Sequence, residues 1–191
     1  GEIVVVSGSA NIQVTNTITC PENPNPIDSP QIDPPTLAMM FMANNSPFSG
    51  RDGEFVTSTQ LRDRLNRELL TDVALKIEDL GDEAGLKVSG RGELHLSILI
   101  EKLMREGYEF QVSRPTVILK EENGKRFEPY EELTIEVPES VMGSVIEQLG
   151  QRKGQCLDMQ QENGESRLLY RIPTRGLLGY QSEFMLTTKG L

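Results

Sequence analysis

The sequence predicts an α+β chain of two tandem βαββαβ sandwiches, the second incomplete. Three observations predict it. Ser89-Gly90-Arg91-Gly92-Glu93-Leu94-His95-Leu96 joins the alternating Leu86-Lys87-Val88 to an apolar run at Leu96, Leu99, Ile100 and Leu103, giving a strand, a glycine turn and a helix in one stretch. Around that turn the order of elements from Leu37 to Val112 reads strand, helix, strand, strand, helix, strand. The same order begins again after Lys120 and stops one strand short.

Taken in order, Ile3-Val4-Val5-Val6 is apolar and β-branched, and Ile12 to Thr19 alternates as Ile12, Val14 and then Ile18 on the other phase, so one or two strands are expected there. An isolated strand pair is marginal in water, so this start is expected to be cut from a larger protein. Pro21, Pro24, Pro26, Pro30, Pro34 and Pro35 follow. Residues without an N–H cannot feed a ladder, and at this density they mark an extended connection and a domain boundary.

The first unit opens with Leu37-Ala38-Met39-Met40-Phe41-Met42, too short for a helix and read as a buried strand with methionines as core filling. After the loop Asn44 to Gly53, Thr57-Ser58-Thr59 offers capping hydroxyls to a helix whose Leu61, Leu65 and Leu69 stand at i, i+4, i+8. Ala74 to Glu78 alternates as a strand, Asp79 to Gly85 turns, and Leu86 to Val88 returns. The second helix runs from Glu93 to Glu106, with Gly107 where a left-handed cap belongs, and Tyr108, Phe110 and Val112 alternate as the last strand. In this order both helices cover one face of an antiparallel sheet, the ferredoxin-like arrangement.

In the second unit Leu133, Ile135 and Val137 alternate, Pro138 stops the strand, and Ser140 is placed to cap a helix carrying Val141, Val145 and Leu149. Gln155 to Gln160 and Leu168 to Ile172 flank Asn163-Gly164, a hairpin signal. Tyr180 and Phe184, at i, i+4 within Gly176 to Gly190, predict a last helix. Each small sandwich buries only part of its surface, so contact between the two is expected to add stability.

Composition narrows the function. With 29 acidic and 19 basic residues among 191, the formal net charge is -10, which excludes a general nucleic-acid coat and confines any such contact to a local cluster of cations. No run approaches the roughly 18 apolar residues of a membrane span, no signal peptide opens the chain, and the cytoplasm is the expected compartment. Cys20 and Cys156 are far apart, without metal-ligand spacing, and are expected to be free thiols.

No catalytic or metal site is expected. The Gly90-x-Gly92 turn could cradle a phosphate, but it lacks the third glycine of a dinucleotide fingerprint and any following Lys-Ser or Lys-Thr, so a structural turn is the stronger reading. Asp82-Glu83-Ala84-Gly85 fits the Asp-x-x-Gly of a GTPase switch but reads as a turn in a chain with no phosphate loop. His95, the single histidine, is expected to pack or cap. Two cation clusters remain open to two readings. Arg62, Arg64 and Arg67 face RNA phosphates or form a salt-bridged surface through Asp63–Arg67 and Arg64–Glu68 at i, i+4. Arg152 and Lys153, with Arg171 and Arg175 around Pro173, contact RNA or cap a helix end.

Gly90-Arg91-Gly92-Glu93-Leu94-His95-Leu96 resembles a signature of the third domain of elongation-factor-G-like translational GTPases. In the second half Glu128-Pro129-Tyr130-Glu131-Glu132, Gly143-Ser144-Val145, Arg152-Lys153-Gly154 and Ile172 to Tyr180 resemble the fifth-domain pattern of that class. Val112-Ser113-Arg114-Pro115 and the Ser89 to Gly92 turn are most similar to a ribosome-associated branch linked to stress adaptation and ribosome assembly. The resemblance implies that residues 1–35 hold the end of a β-barrel domain and a linker, 36–119 a third-domain-like unit, and 120–191 an incomplete fifth-domain-like unit. It implies a non-catalytic portion without cofactor, with GTP and Mg held by a GTPase domain elsewhere in the parent protein. It also implies a monomer whose partners are ribosomal RNA, ribosomal proteins and that GTPase domain. The fold alone also permits a regulatory or oligomerising unit that binds a small metabolite.

Overall fold

In the computed structural model, which describes residues 1–8, 12, 14–29, 32–81 and 84–190, the first strand is β1, Leu37–Ala43. Alternate residues send Leu37 and Phe41 into a core with no exposure to water beyond 1%. Helix α1, Ser58–Glu68, starts where Thr57 accepts a hydrogen bond from the Gln60 N–H while the Gln60 side chain accepts one from the Thr57 N–H. Its Leu61 and Leu65 face β1.

Strands β2, Lys76–Asp79, and β3, Leu86–Gly90, form the hairpin that leads into helix α2, Glu93–Arg105, and strand β4, Phe110–Val112. The sheet runs β4, β1, β3, β2, every neighbour antiparallel, as the ferredoxin-like order requires. Past Arg114-Pro115 the chain rejoins the same edge of β1 as β5, Thr116–Val117. Leu96, Leu99 and Leu103 of α2 complete the core against Val88.

Gly85 makes the β2–β3 turn possible for two reasons. Its φ is +82°, and a Cβ there would sit 2.5 Å from the Phe41 carbonyl oxygen and 2.6 Å from Met42 Cγ. Gly85→Ala is therefore expected to lower the unfolding free energy by more than about 2 kcal/mol, left-handed strain plus a backbone clash. Gly81 has φ +93° with open space around its Cβ position, so Gly81→Ala isolates the strain. Equal losses for the two variants in urea unfolding would refute the clash.

The second unit begins with a hairpin that periodicity did not predict, β6 Lys120–Glu122 and β7 Lys125–Phe127, turned by Asn123-Gly124 at φ 52° and 72°. Then come β8 Tyr130–Pro138, α3 Glu139–Gln151, β9 Gln155–Glu162, β10 Glu165–Pro173, α4 Thr174–Leu177 and α5 Tyr180–Thr188. Asn163-Gly164 turns the β9–β10 hairpin as predicted. The sheet is three-stranded and antiparallel in the order β8, β10, β9, and among the described residues no strand lies against the other edge of β8. Val145 and Leu149 of α3 meet Ile135, Val137, Leu168, Tyr170 and Ile172 in its core.

Three expectations differ from what is found. Among the described residues of Ile3–Val6 and Ile12–Thr19 no strand is formed: Ile3 and Val5 are fully exposed, and β-branched propensity makes a ladder only when the segment docks on a partner strand. Ser140 does not cap α3; Pro138 holds the cap position without a side-chain bond, and the Glu139 N–H donates to the Gly164 carbonyl. The last helix is broken in two at Leu178-Gly179, where Gly179 has φ +69°. Residues 9–11 and 13 of the first stretch, Pro30 of the linker, Asp82 and Glu83 of the Asp-x-x-Gly, and Leu191 lie outside the described residues.

Candidate nucleic-acid interface

The three arginines of α1 share a helix but have separate fates. Arg64 turns inward at 9% exposure, its Nε and Nη2 forking onto Glu106 at 2.5 and 2.8 Å while Nη1 reaches Glu68 at 2.8 Å. Lys102 binds the same Glu68 at 2.8 Å. The Glu106 hydrogen bond, followed by that of Glu68, holds the Arg64 guanidinium well above its ordinary pKa against the opposing effect of burial. Arg64 is thus a structural tie from α1 to the end of α2, its guanidinium engaged by two carboxylates. Arg62 pairs with Asp79 at 2.6 Å; the Asp79 carboxyl is held low by the Gly81 N–H and, more weakly, by Arg62. Arg67 Nε donates to the Asp63 carbonyl, at 3.4 Å, in place of the expected carboxylate, and the residue stays exposed. One outward-facing arginine remains of three.

The second cluster also divides. Arg152 ends α3, where its Nη2 meets Glu183 at 2.6 Å, its Nη1 donates to the carbonyls of Gly176 and Leu178 at 2.7 and 3.2 Å, and its guanidinium lies 5.1 Å over the Tyr180 ring. That geometry serves packing, with the guanidinium engaged inside the second unit. Lys153, next in sequence, has φ +68°, is exposed and has no side-chain partner among the described residues. Arg171, exposed, lies 5.3 Å over Tyr130, and it pairs in register with Gln155, just past Lys153-Gly154. Arg175 binds Glu128 at 2.7 Å, which raises its pKa through that hydrogen bond. The start of β9 and the end of β10 therefore bring Lys153 and Arg171 to one end of the second sheet, with Arg175 following β10.

In the glycine turn His95 takes up one backbone N–H. His95 Nδ1 accepts the Arg91 N–H at 3.2 Å, and its Nε2 stands 2.5 Å from Asp72 Oδ2. With Nδ1 accepting, the proton sits on Nε2 and is donated to Asp72. A Cβ at Gly90 would come within 3.0 Å of both His95 and Leu96, so only glycine lets the histidine close over the turn. The Asp72 partner could not be found by spacing. Nor could Glu109, whose carboxylate collects the N–H groups of Asp52 and Gly50 and the Asn44 amide at 2.6 to 3.1 Å, fixing the Asn44 to Gly53 loop. Among the described residues no cluster of His, Cys, Asp or Glu fits a metal, and no helix is long and apolar enough to cross a membrane.

Residues 125–191 match the family described as elongation factor G C-terminus. All 191 residues align with the large ribosomal subunit assembly factor BipA, at 52% identity in Synechocystis sp., 49% in Bacillus subtilis and 47% in Escherichia coli K12. The chain belongs to the BipA family. It spans about a third of the length of these BipA relatives, 32%, 31% and 32% respectively. A crystal structure from Thermus thermophilus matches with a TM-score of 0.50 over 88% of this chain and 41% of the other, at 17% identity, a likeness of fold alone. The branch indicated by Val112-Ser113-Arg114-Pro115 and the Ser89 to Gly92 turn is thus BipA.

Proposed function

We propose that this chain is the ribosome-docking portion of a BipA-type translational GTPase that works in stress adaptation and in assembly of the large ribosomal subunit. The observation that carries the reading is the identity, along the whole chain, to proteins named large ribosomal subunit assembly factors. In this reading residues 1–35 belong to the end of a barrel domain and a linker, 36–119 to a third-domain-like unit and 120–191 to a fifth-domain-like unit. GTP and Mg are held by the GTPase domain of the parent, a cytoplasmic monomer that meets ribosomal RNA and proteins. Exposed Lys153, Arg171 and Arg67 supply the phosphate contacts, and Arg62 and Arg175 contribute only if they exchange their carboxylates for phosphate.

Sedimentation of the full-length parent with large subunits, with and without a non-hydrolysable GTP analogue, tests this. Co-sedimentation that the analogue strengthens is expected, whereas residues 1–191 alone should show no GTP binding in calorimetry. Absence of ribosome binding, together with melting that shifts on addition of a small metabolite, would replace this reading with the regulatory one.

A further inference from the structure

Arg152 is held by carbonyls, a carboxylate and an aromatic face, yet none of them belongs to the helix it ends. The carbonyls are those of Gly176, within α4, and Leu178, in the break between α4 and α5. The carboxylate of Glu183 takes Nε and Nη2 at 3.2 and 2.6 Å from the first turn of α5, and Tyr180 packs below the guanidinium. The other end of α4 is tied down as well, since the Thr174 N–H and hydroxyl both donate to the Pro129 carbonyl, at 3.0 and 3.3 Å. The Leu178-Gly179 turn is therefore held from inside the second unit.

What that turn touches lies in the first unit. Leu178 packs against the core formed by β1, β3, α1 and α2, and the Gly179 N–H donates to Glu93 Oε2 at 3.0 Å. Glu93 opens α2 directly after the Gly90-Arg91-Gly92 turn. A leucine packed against a neighbouring core, with a hydrogen bond to a carboxylate beside it, fixes two bodies only if the loop that carries them is rigid. We propose that Arg152 is a clasp: it shapes the Leu178-Gly179 turn so that it plugs the first unit, and the two sandwiches move as one body. Lys153 and Arg67 are then presented at a fixed separation, and binding through both gains from effective concentration without further contacts.

Spin labels on Glu101→Cys of α2 and Gln160→Cys of β9, both exposed, report the separation in the full-length protein once its other cysteines are replaced. A single narrow distance distribution is expected, widening at least twofold in Arg152→Ala and in Leu178→Asp, but not in Arg171→Gln. Leu178 lies outside the second unit's own core, so its variant decides the matter even where Arg152→Ala fails to fold. Unchanged widths in folded Leu178→Asp overturn the clasp. A second measurement rests on the ribosome reading: Arg152→Ala should weaken ribosome binding roughly tenfold with its salt dependence unaltered. A shallower salt slope would make Arg152 a phosphate contact and overturn the proposal. The label distances do not depend on ribosome binding, so failure of that reading leaves the clasp tested.

Discussion

Arg64→Met is expected to lower the unfolding free energy of the chain by about 3 kcal/mol, near the bottom of the range for breaking a buried ion pair. The methionine keeps most of the stem's packing, so the loss isolates the charge and its three hydrogen bonds. Glu68, with a side chain only 12% exposed, would retain Lys102 as its sole cation, whereas Glu106, 35% exposed, can turn to water; this partial escape is why the lower figure applies. Urea unfolding followed by circular dichroism measures it, and a loss below about 1 kcal/mol would reduce the network to an ordinary surface pair.

The same network sets an acid limit. At Glu68 burial alone would raise the pKa, but the hydrogen bonds from Lys102 and Arg64 outweigh it, and the folded value falls below the ordinary 4.5. At Glu106 the Arg64 hydrogen bond comes first and acts in the same direction. A carboxyl depressed on folding contributes stability that is present above its unfolded pKa and lost as pH falls through the folded one. The native chain should therefore lose stability as pH drops below about 4.5, and Arg64→Met should lose less over that window. Some pH dependence survives in the variant, because Glu109 is held low independently by the Asp52 N–H and the Asn44 amide.

Arg64 also marks where reading the sequence stops working. Local signals were legible: the Thr57 cap, the Leu61 and Leu65 stripe, the Asn163-Gly164 hairpin and the order of strands all follow from neighbours within one or two turns. The Arg64–Glu68 pair was legible for the same reason, being i, i+4. Glu106 was not, since it reaches Arg64 only after α1 and α2 pack side by side on the sheet. Arg152 repeats the case with Glu183 and two carbonyls, and His95 with Asp72. A cation's spacing along the chain carries no information about carboxylates delivered by another element. The broken last helix had a visible signal in Gly179, overridden by the true i, i+4 pairing of Tyr180 and Phe184 inside α5.

Lys153→Gly combined with Arg171→Gln is expected to reduce affinity of the full-length parent for the large subunit roughly tenfold for each charge-assisted phosphate bond removed. The log–log salt slope should become shallower by about two, one per phosphate contact. Lys153 is suited to this test by its backbone: at φ +68° glycine is the better-adapted residue, so the variant removes a charge while stability stays within about 1 kcal/mol. Arg171 leaves behind an exposed Tyr130 and no buried carboxylate, so glutamine there is also mild. Arg175→Gln is the contrast, because its guanidinium already binds Glu128 and a phosphate must compete for it; its slope change should be smaller. Unmodified slope and affinity in the double variant, with circular dichroism intact, would remove this end of the second sheet from the interface. Arg67 on α1 would then be the first exposed cation to test.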